Sequence, residues 1–251
     1  MSDVPQFPAL LSLIDDRSAA LRDAAAAAPD LEARVPGCPD WTLRDLVVHL
    51  GEVQRFWAAT VRAADAGGPP SPEAIGDRTP HGDLLDWFGE STRLLLAALR
   101  EAGPDAPSWT WWGASDAPQT SGAVARHQVQ EAAVHAYDAQ ETIGKPEPLP
   151  AAEAVDSMSE FLVVSLGVLG AWPHRPARVA FRAVEGPAWT VDLTPDGAKL
   201  SPAAGGAAVT TLHGSASDLV LALYKRIPLS RLRIDGDAEV ARQLRDWTET
   251  E

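Results

Sequence analysis

The sequence predicts an all-α N-terminal domain, a four-helix bundle, followed by a smaller α+β domain. Three observations lead there. Up to about residue 170, apolar residues recur at helical spacing in stretches long enough for full helices. From Pro176 the period shortens, and runs rich in β-forming residues alternate with turn signals. The chain has 251 residues, 45% of them hydrophobic, enough for two domains that each bury a core. The boundary is placed at residue 170, giving domains 1–170 and 171–251.

Leu10, Ile14 and Leu21, with alanines between them, define a first amphipathic helix that ends near Pro29. A second begins at Thr42. The threonine is a good N-cap, and Asp45 stands three residues on, where a capping-box acid belongs. Leu43, Leu46, Val47, Leu50, Val53 and Phe56/Trp57 continue it. Residues 65–80, rich in Gly, Pro and Asp, read as a loop. Leu84, Leu85, Phe88, Leu94, Leu95 and Leu99 mark a third helix, and residues 121–142 a fourth. Four long helices with loops of this size make a bundle. A fifth helix, about 150–168, connects to the β-rich part or packs on it. The runs ARVAFRAV, AWTVDLT, AKLS and AAVTTLHG are then separated by Glu185-Gly186-Pro187, Pro195-Asp196-Gly197 and Gly205-Gly206. Ser215–Lys225 reads as helix, RLRIDGD as strand and turn, and Ala238–Trp247 as a closing helix.

Composition excludes several functions. With 21 Lys+Arg against 35 Asp+Glu, the net charge of −14 is the reverse of what binding phosphate backbones or an anionic membrane requires. The single cysteine, Cys38, rules out an internal disulfide. The longest nearly apolar run, Phe161 to Trp172, is twelve residues and broken by Ser165, Gly167 and Gly170, well short of the ~20 a membrane span needs. The opening MSDVPQFPALLSLIDD lacks the basic flank of a secretory signal. The expectation is a cytoplasmic protein, monomer or homodimer, with no nucleic-acid or membrane partner.

The fourth helix carries the most informative pattern, ARHQVQEAAVHAYDAQE. Glu131 and His135 lie four apart and project from one face, with His127 one turn before and Asp138 three residues beyond. A bundle helix normally fills its inward stripe with leucine. Unpaired imidazole and carboxylate there would cost several kcal/mol, on the order of 2–7, so mutual hydrogen bonding or a metal ion is the natural compensation. Taken alone, the pair also reads as an exposed i,i+4 ion pair, and His49, between Val48 and Leu50 on the second helix, as a satisfied core histidine. Taken together, two imidazoles and one carboxylate suit a divalent ion such as zinc with one coordination position open. The spacing is not that of H-E-x-x-H metalloproteases.

The stretch Pro36-Gly37-Cys38-Pro39-Asp40-Trp41-Thr42-Leu43-Arg44-Asp45-Leu46-Val47-Val48-His49-Leu50 resembles the opening motif of the mycothiol-dependent maleylpyruvate isomerase family. Glu131-Ala132-Ala133-Val134-His135-Ala136-Tyr137-Asp138-Ala139 resembles that family's second motif, and SASDLVLALYKRIPLSRLRIDGDAEVARQL is similar to its C-terminal domain. The resemblance covers nearly the whole chain. It implies a DinB-like metal-binding bundle, a sterol-carrier-like α+β tail, and His49, Glu131 and His135 as ligands of a divalent metal, most often zinc. It also implies mycothiol as co-substrate and an isomerisation, or a related S-transfer, on a small electrophile. The activities within the family are not separated by these motifs.

A metal held by two neutral imidazoles and one carboxylate keeps a charge near +1 and favours a thiolate as its next ligand. The nucleophile is then an external thiol, and no side chain of the chain serves as catalytic nucleophile. Asp138 is the candidate to orient His135 from behind, or else a surface acid. For a carboxylate-bearing substrate, Arg126, Arg231 and Arg233 are candidates, with Arg55 and Arg62 as further ones, although each reads equally as a solvated guanidinium. Trp111 and Trp112, with Trp109, stand in a Gly/Pro loop before the fourth helix. They read either as a pocket wall or as a plug of core at the bundle end. His127 and Glu52 are expected to face solvent. Cys38 precedes a helix N-terminus, where its thiol pKa could fall, but in the family this segment is a structural turn. His81, His174 and His213 belong to no evident constellation. The competing reading of the whole is a non-catalytic small-ligand binding protein with a structural or vestigial metal site.

Overall fold

The computed structural model describes residues 5–202 and 206–248. Residues 1–4 of the N-terminal stretch and Gly205 of the expected Gly205-Gly206 turn lie outside that range. The chain forms two compact units. One comprises residues 5–113 and 118–147, the other residues 114–117 and 148 onward.

In the first unit, α1 (Phe7–Ala27) is followed by a short antiparallel pair, β1 (Arg34–Val35) and β2 (Cys38–Thr42). These strands are too short to leave a periodic signal in the sequence. Then come α2 (Leu43–Ala63), a single turn α3 (Pro72–Ile75) within the expected loop, α4 (Leu84–Ala102) and α5 (Ser121–Thr142). Thr42 and Asp45 close the capping box of α2 from both sides. Asp83 caps α4, and Thr120 caps α5 through the amide of Ala123. Helices α1, α2, α4 and α5 form the bundle, in which α1 packs on α4 and α5, and α2 packs on α4 and α5.

The core at one end joins Leu21, Ala24 and Ala25 of α1 to Leu43, Leu46, Val47 and Leu50 of α2, with Trp87 and Phe88 of α4. Helix α5 adds only Ala132, Ala136 and Ala139 to this cluster, and small side chains let its backbone sit close to its neighbours. Gly51 does the same for α2. A Cβ there would fall 2.2 Å from the ring of Trp87, which is itself buried. Helix α5 is buried almost all round, so its polar residues are interior whatever face they occupy.

In the second unit, α6 (Ala151–Val163) precedes β3 (Ala177–Ala183), β4 (Ala188–Thr194), β5 (Gly197–Leu200), β6 (Thr210–Gly214), α7 (Ala216–Leu223), β7 (Arg233–Gly236) and α8 (Ala238–Trp247). The sheet order is β5-β4-β3-β6-β7, with β3 and β6 parallel and the other pairs antiparallel. Alternate residues Val179, Phe181, Val191, Leu193 and Leu212 are buried on the inner face, against which α7 and α8 pack.

Helix α6 is shorter than expected and packs, as expected, on the β-rich part. It ends at Val163, where the pattern changes and Leu166 N–H reaches back five residues to Phe161 O (3.0 Å); the missing Cβ of Gly167 then lets the chain pass close to Val163 O, which an added Cβ would meet at 1.9 Å. It clusters with the sheet unit. Its Ser159 hydroxyl accepts from Trp189 Nε1 at 2.9 Å, and the Leu149 amide just before it donates to Ser217 Oγ at 2.9 Å. The observed division therefore falls near residue 147, ahead of the sequence-based boundary at 170.

Candidate metal centre

Helix α2 presents His49 toward α5, where Glu131 and His135 project one turn apart. Glu131 Oε1 lies 3.3 Å from His49 Nε2 and 3.5 Å from His135 Nε2. One ligand atom from each residue falls within 4.8 Å of the others, and among the described residues no other group of His, Cys, Asp and Glu converges in this way. A tetrahedral ion about 2.0–2.1 Å from each donor sets its ligands about 3.3 Å apart, a spacing that the two separations from Glu131 match, and the chemistry of two imidazoles and a carboxylate suits such an ion.

Behind His135, the buried Asp138 places Oδ2 3.0 Å from Nδ1. The ring thereby has one nitrogen on a carboxylate and the other facing Glu131 and His49. The Cys38 thiol donates to the same Asp138 oxygen at 3.8 Å. Cys38 is buried and directed at a structural carboxylate, which accords with the turn reading rather than the nucleophile reading. Trp41, the last residue before the α2 cap, lies against both imidazoles, with ring centroids 4.6 Å from His49 and 6.1 Å from His135.

The electrostatics follow from this packing. Burial disfavours the charged form of His135, but hydrogen bonds to Asp138 and Glu131 outweigh it and push the pKa up to about 9. Burial likewise works against the Glu131 carboxylate. Hydrogen bonds from His135 and His49, with the positive fields of His135 and His127, hold it well below the usual carboxylate range.

The other candidates separate clearly. His127 does not face solvent. It is buried beneath Trp112, Trp111 and Trp57, with ring centroids at 4.8, 5.4 and 6.2 Å. The tryptophan loop, folded over the start of α5, covers a position that helical spacing alone places near an open end. Trp112 is fully buried and donates from Nε1 to Pro118 O at 3.1 Å, whereas Trp111 is 43% exposed. The loop is thus both core plug and open wall. Arg126 is half-buried on α5, five residues from Glu131 and so on a different face. Arg55 is held by Glu90 and Ser91 and lies over Trp87, which gives it a packing role. Arg62 reaches Leu94 O. Arg231 and Arg233 belong to the sheet unit, where Arg233 contacts His213 at 3.0 Å and Asp235 at 3.4 Å. Glu52 is half-buried rather than exposed.

Sequence reasoning missed Trp41 and Cys38 as neighbours of the site. Both stand in the PGCPDW segment, but about 100 residues separate them from α5, and only the fold closes that distance.

A helical bundle with a His/Glu/His cluster, followed by an α+β unit, defines the class: a two-part chain with a candidate metal centre on facing helices. Residues 11–140 match the family model described as the mycothiol maleylpyruvate isomerase N-terminal domain, and residues 151–243 match that of its C-terminal domain. The chain belongs to the mycothiol-dependent maleylpyruvate isomerase family. Among solved structures it is similar to the crystal structure of the mycothiol-dependent maleylpyruvate isomerase, at 16% identity and a TM-score of 0.60 over 92% of this chain and 93% of that one. It is similar also to a histidine-to-alanine mutant of that enzyme, at 15% identity, a TM-score of 0.59 and the same coverage. No curated protein matches the sequence. No helix among the described residues is long and apolar enough to cross a membrane.

Proposed function

We propose that this chain is a metal-dependent enzyme that uses an external low-molecular-weight thiol, mycothiol, to isomerise or transfer sulfur to a small electrophile. His49, Glu131 and His135 hold a divalent ion, most suitably zinc. The convergence of their three donor atoms at 3.3 and 3.5 Å, with Asp138 on the outer nitrogen of His135, is the observation that carries the reading. Family membership supplies the thiol and the reaction class.

A bound divalent ion supplies Lewis acidity, which favours the thiolate over the thiol at neutral pH. The chain's own residues do the rest. Asp138 fixes the His135 ring with Nδ1 on the carboxylate and Nε2 turned to the site. Glu131 contributes the one negative charge of the donor set, so the centre retains positive character toward an anionic sulfur. Trp41 covers the imidazoles on one side and excludes water there. In the isomerisation, the thiolate sulfur bonds one alkene carbon while the π pair moves toward the adjacent carbonyl. Rotation about the resulting single bond and expulsion of the same thiolate give the trans alkene. With no side-chain nucleophile required, the lone Cys38 stays in its structural role.

Purified protein given mycothiol and maleylpyruvate, followed by proton NMR, is expected to convert the cis to the trans isomer or to form a thioether adduct. Glu131→Gln is expected to lower that rate by ~100-fold or more, as loss of a charged ligand should. Turnover that proceeds equally without thiol would contradict the proposal, as would a chain that binds the substrate and leaves it unchanged.

A further inference from the structure

Helices α1 and α4 are neighbours on the side of the bundle opposite the pair α2 and α5, which carries the metal ligands. Between them lies a groove of about 340 Å³, within the range of small-molecule sites. Asp15, Ser18, Ala19 and Arg22 follow it at helical spacing on α1, and Asp86, Gly89 and Arg93 do so on α4. A bundle seam is normally filled by large apolar side chains. Here its middle is Ala19 and Gly89, and the space between the helices stays open.

The floor of the groove is polar and fixed. The fully buried Gln54 of α2 donates from Nε2 to Ser18 Oγ at 2.9 Å and accepts at Oε1 from Thr92 Oγ1 at 2.8 Å. Ser18 and Thr92 are buried and both line the groove. Their hydroxyls are left with different capacities. The Thr92 proton is spent on Gln54, and its oxygen keeps a lone pair. Ser18 has accepted a proton, and no acceptor for its own stands among the described residues. The floor therefore offers one donor and one acceptor.

The walls are charged and balanced. Arg22 reaches across the groove, since a Cβ at Gly89 would stand 3.2 Å from its Nη1. With Gln54 joining Ser18 to Thr92, and Arg22 beside Gly89, the two helices run antiparallel. Asp86 thus falls at the Arg22 end and Arg93, whose Nε donates to Gly89 O at 3.3 Å, at the Asp15 end. Each end holds one carboxylate and one guanidinium, yet none of the four forms an ion pair with any described residue. An anion or a cation would meet a like charge at either end, and a small zwitterion would satisfy one end alone. Hydroxyl groups both donate and accept, so a neutral ligand that carries several of them matches both ends and the floor.

We propose that the groove between α1 and α4 is a binding site for a neutral polyol about the size of a monosaccharide. Its hydroxyls donate to Asp15, Asp86 and Thr92 Oγ1 and accept from Arg22, Arg93 and the Ser18 hydroxyl. The site is independent of the metal reading and performs no chemistry.

Saturation-transfer NMR on the full chain tests it, with D-xylose and D-glucose as probes and glycine and succinate as charged comparators. Transfer to at least one sugar is expected, and none to glycine or succinate. Arg22→Ala and Asp86→Ala change exposed residues and should keep the fold. Each is expected to raise the Kd for the sugar by about tenfold or more, the scale of a lost hydrogen bond to a charged group. Ala19→Leu fills the groove and is expected to abolish the transfer, with thermal melting to show that the variant is folded. No transfer to either sugar, or a preference for glycine or succinate, would overturn the proposal. So would sugar binding that Arg22→Ala and Asp86→Ala leave unchanged.

Discussion

Asp138 Oδ2 sits 3.0 Å from His135 Nδ1 with no surface exposed to water, so this buried carboxylate orients the imidazole and, together with Glu131, raises its pKa. Asp138→Asn keeps the shape and removes the charge. Metal affinity, measured by competition with a chelating dye, is expected to fall about 10- to 100-fold. An unchanged affinity would make Asp138 a packing residue only. The raised pKa of His135 makes a second prediction. Without metal the ring is protonated up to about pH 9, whereas a metal ion needs it neutral. Between the ordinary histidine value and that pH, binding must expel the proton, so affinity rises with pH, by up to about tenfold per unit. Calorimetry in buffers of differing ionisation enthalpy should then show about one proton released per ion near neutral pH. The same sign applies to the metal-free fold. The His135 interactions contribute fully below the unfolded histidine pKa, and the contribution is lost as pH climbs through about 9. Metal affinity that is flat from neutral pH to 9 would contradict this account of the site.

Helices α2 and α5 bring the ligands together, and their approach depends on small residues as much as on leucines. Gly51 leaves the space that Trp87 fills, and a methyl group there would sit 2.2 Å from the ring. Gly51→Ala is expected to lower stability by ~1–3 kcal/mol, despite the better helix propensity of alanine, because the buried ring has to be displaced. Urea unfolding should show an earlier midpoint, and a midpoint at or above that of the parent would disprove the close contact. The elements themselves were largely readable in the sequence. Thr42 and Asp45 announced the start of α2, and the leucines of α4 its buried face. What stayed hidden had short-range or long-range causes. The two residues of β1 are too few to show a period. The end of α6 is set by a local change of hydrogen-bond pattern, Leu166 N–H to Phe161 O, which no apolar period reports. His49, Glu131 and His135 were legible because they break an apolar pattern at helical spacing. The burial of His127 was not, because it is set by a tryptophan loop whose path no helical period describes.

For the molecule as a whole, a net charge of −14 means that an anionic substrate gains no long-range attraction from the chain, and its recognition has to be local. In the proposed function, the positive character of the centre then comes from the divalent ion that His49, Glu131 and His135 would hold. Such an ion also joins α2 to α5 and adds to the stability of the bundle whenever it is bound. The proposed function stands or falls with the metal, and isothermal titration of zinc into chelator-treated protein shows whether the ion binds. One ion bound per chain is expected, with a rise in Tm, and loss of both in His49→Ala. A parent protein that takes up no divalent ion, or a His49→Ala variant that binds as the parent does, would contradict it.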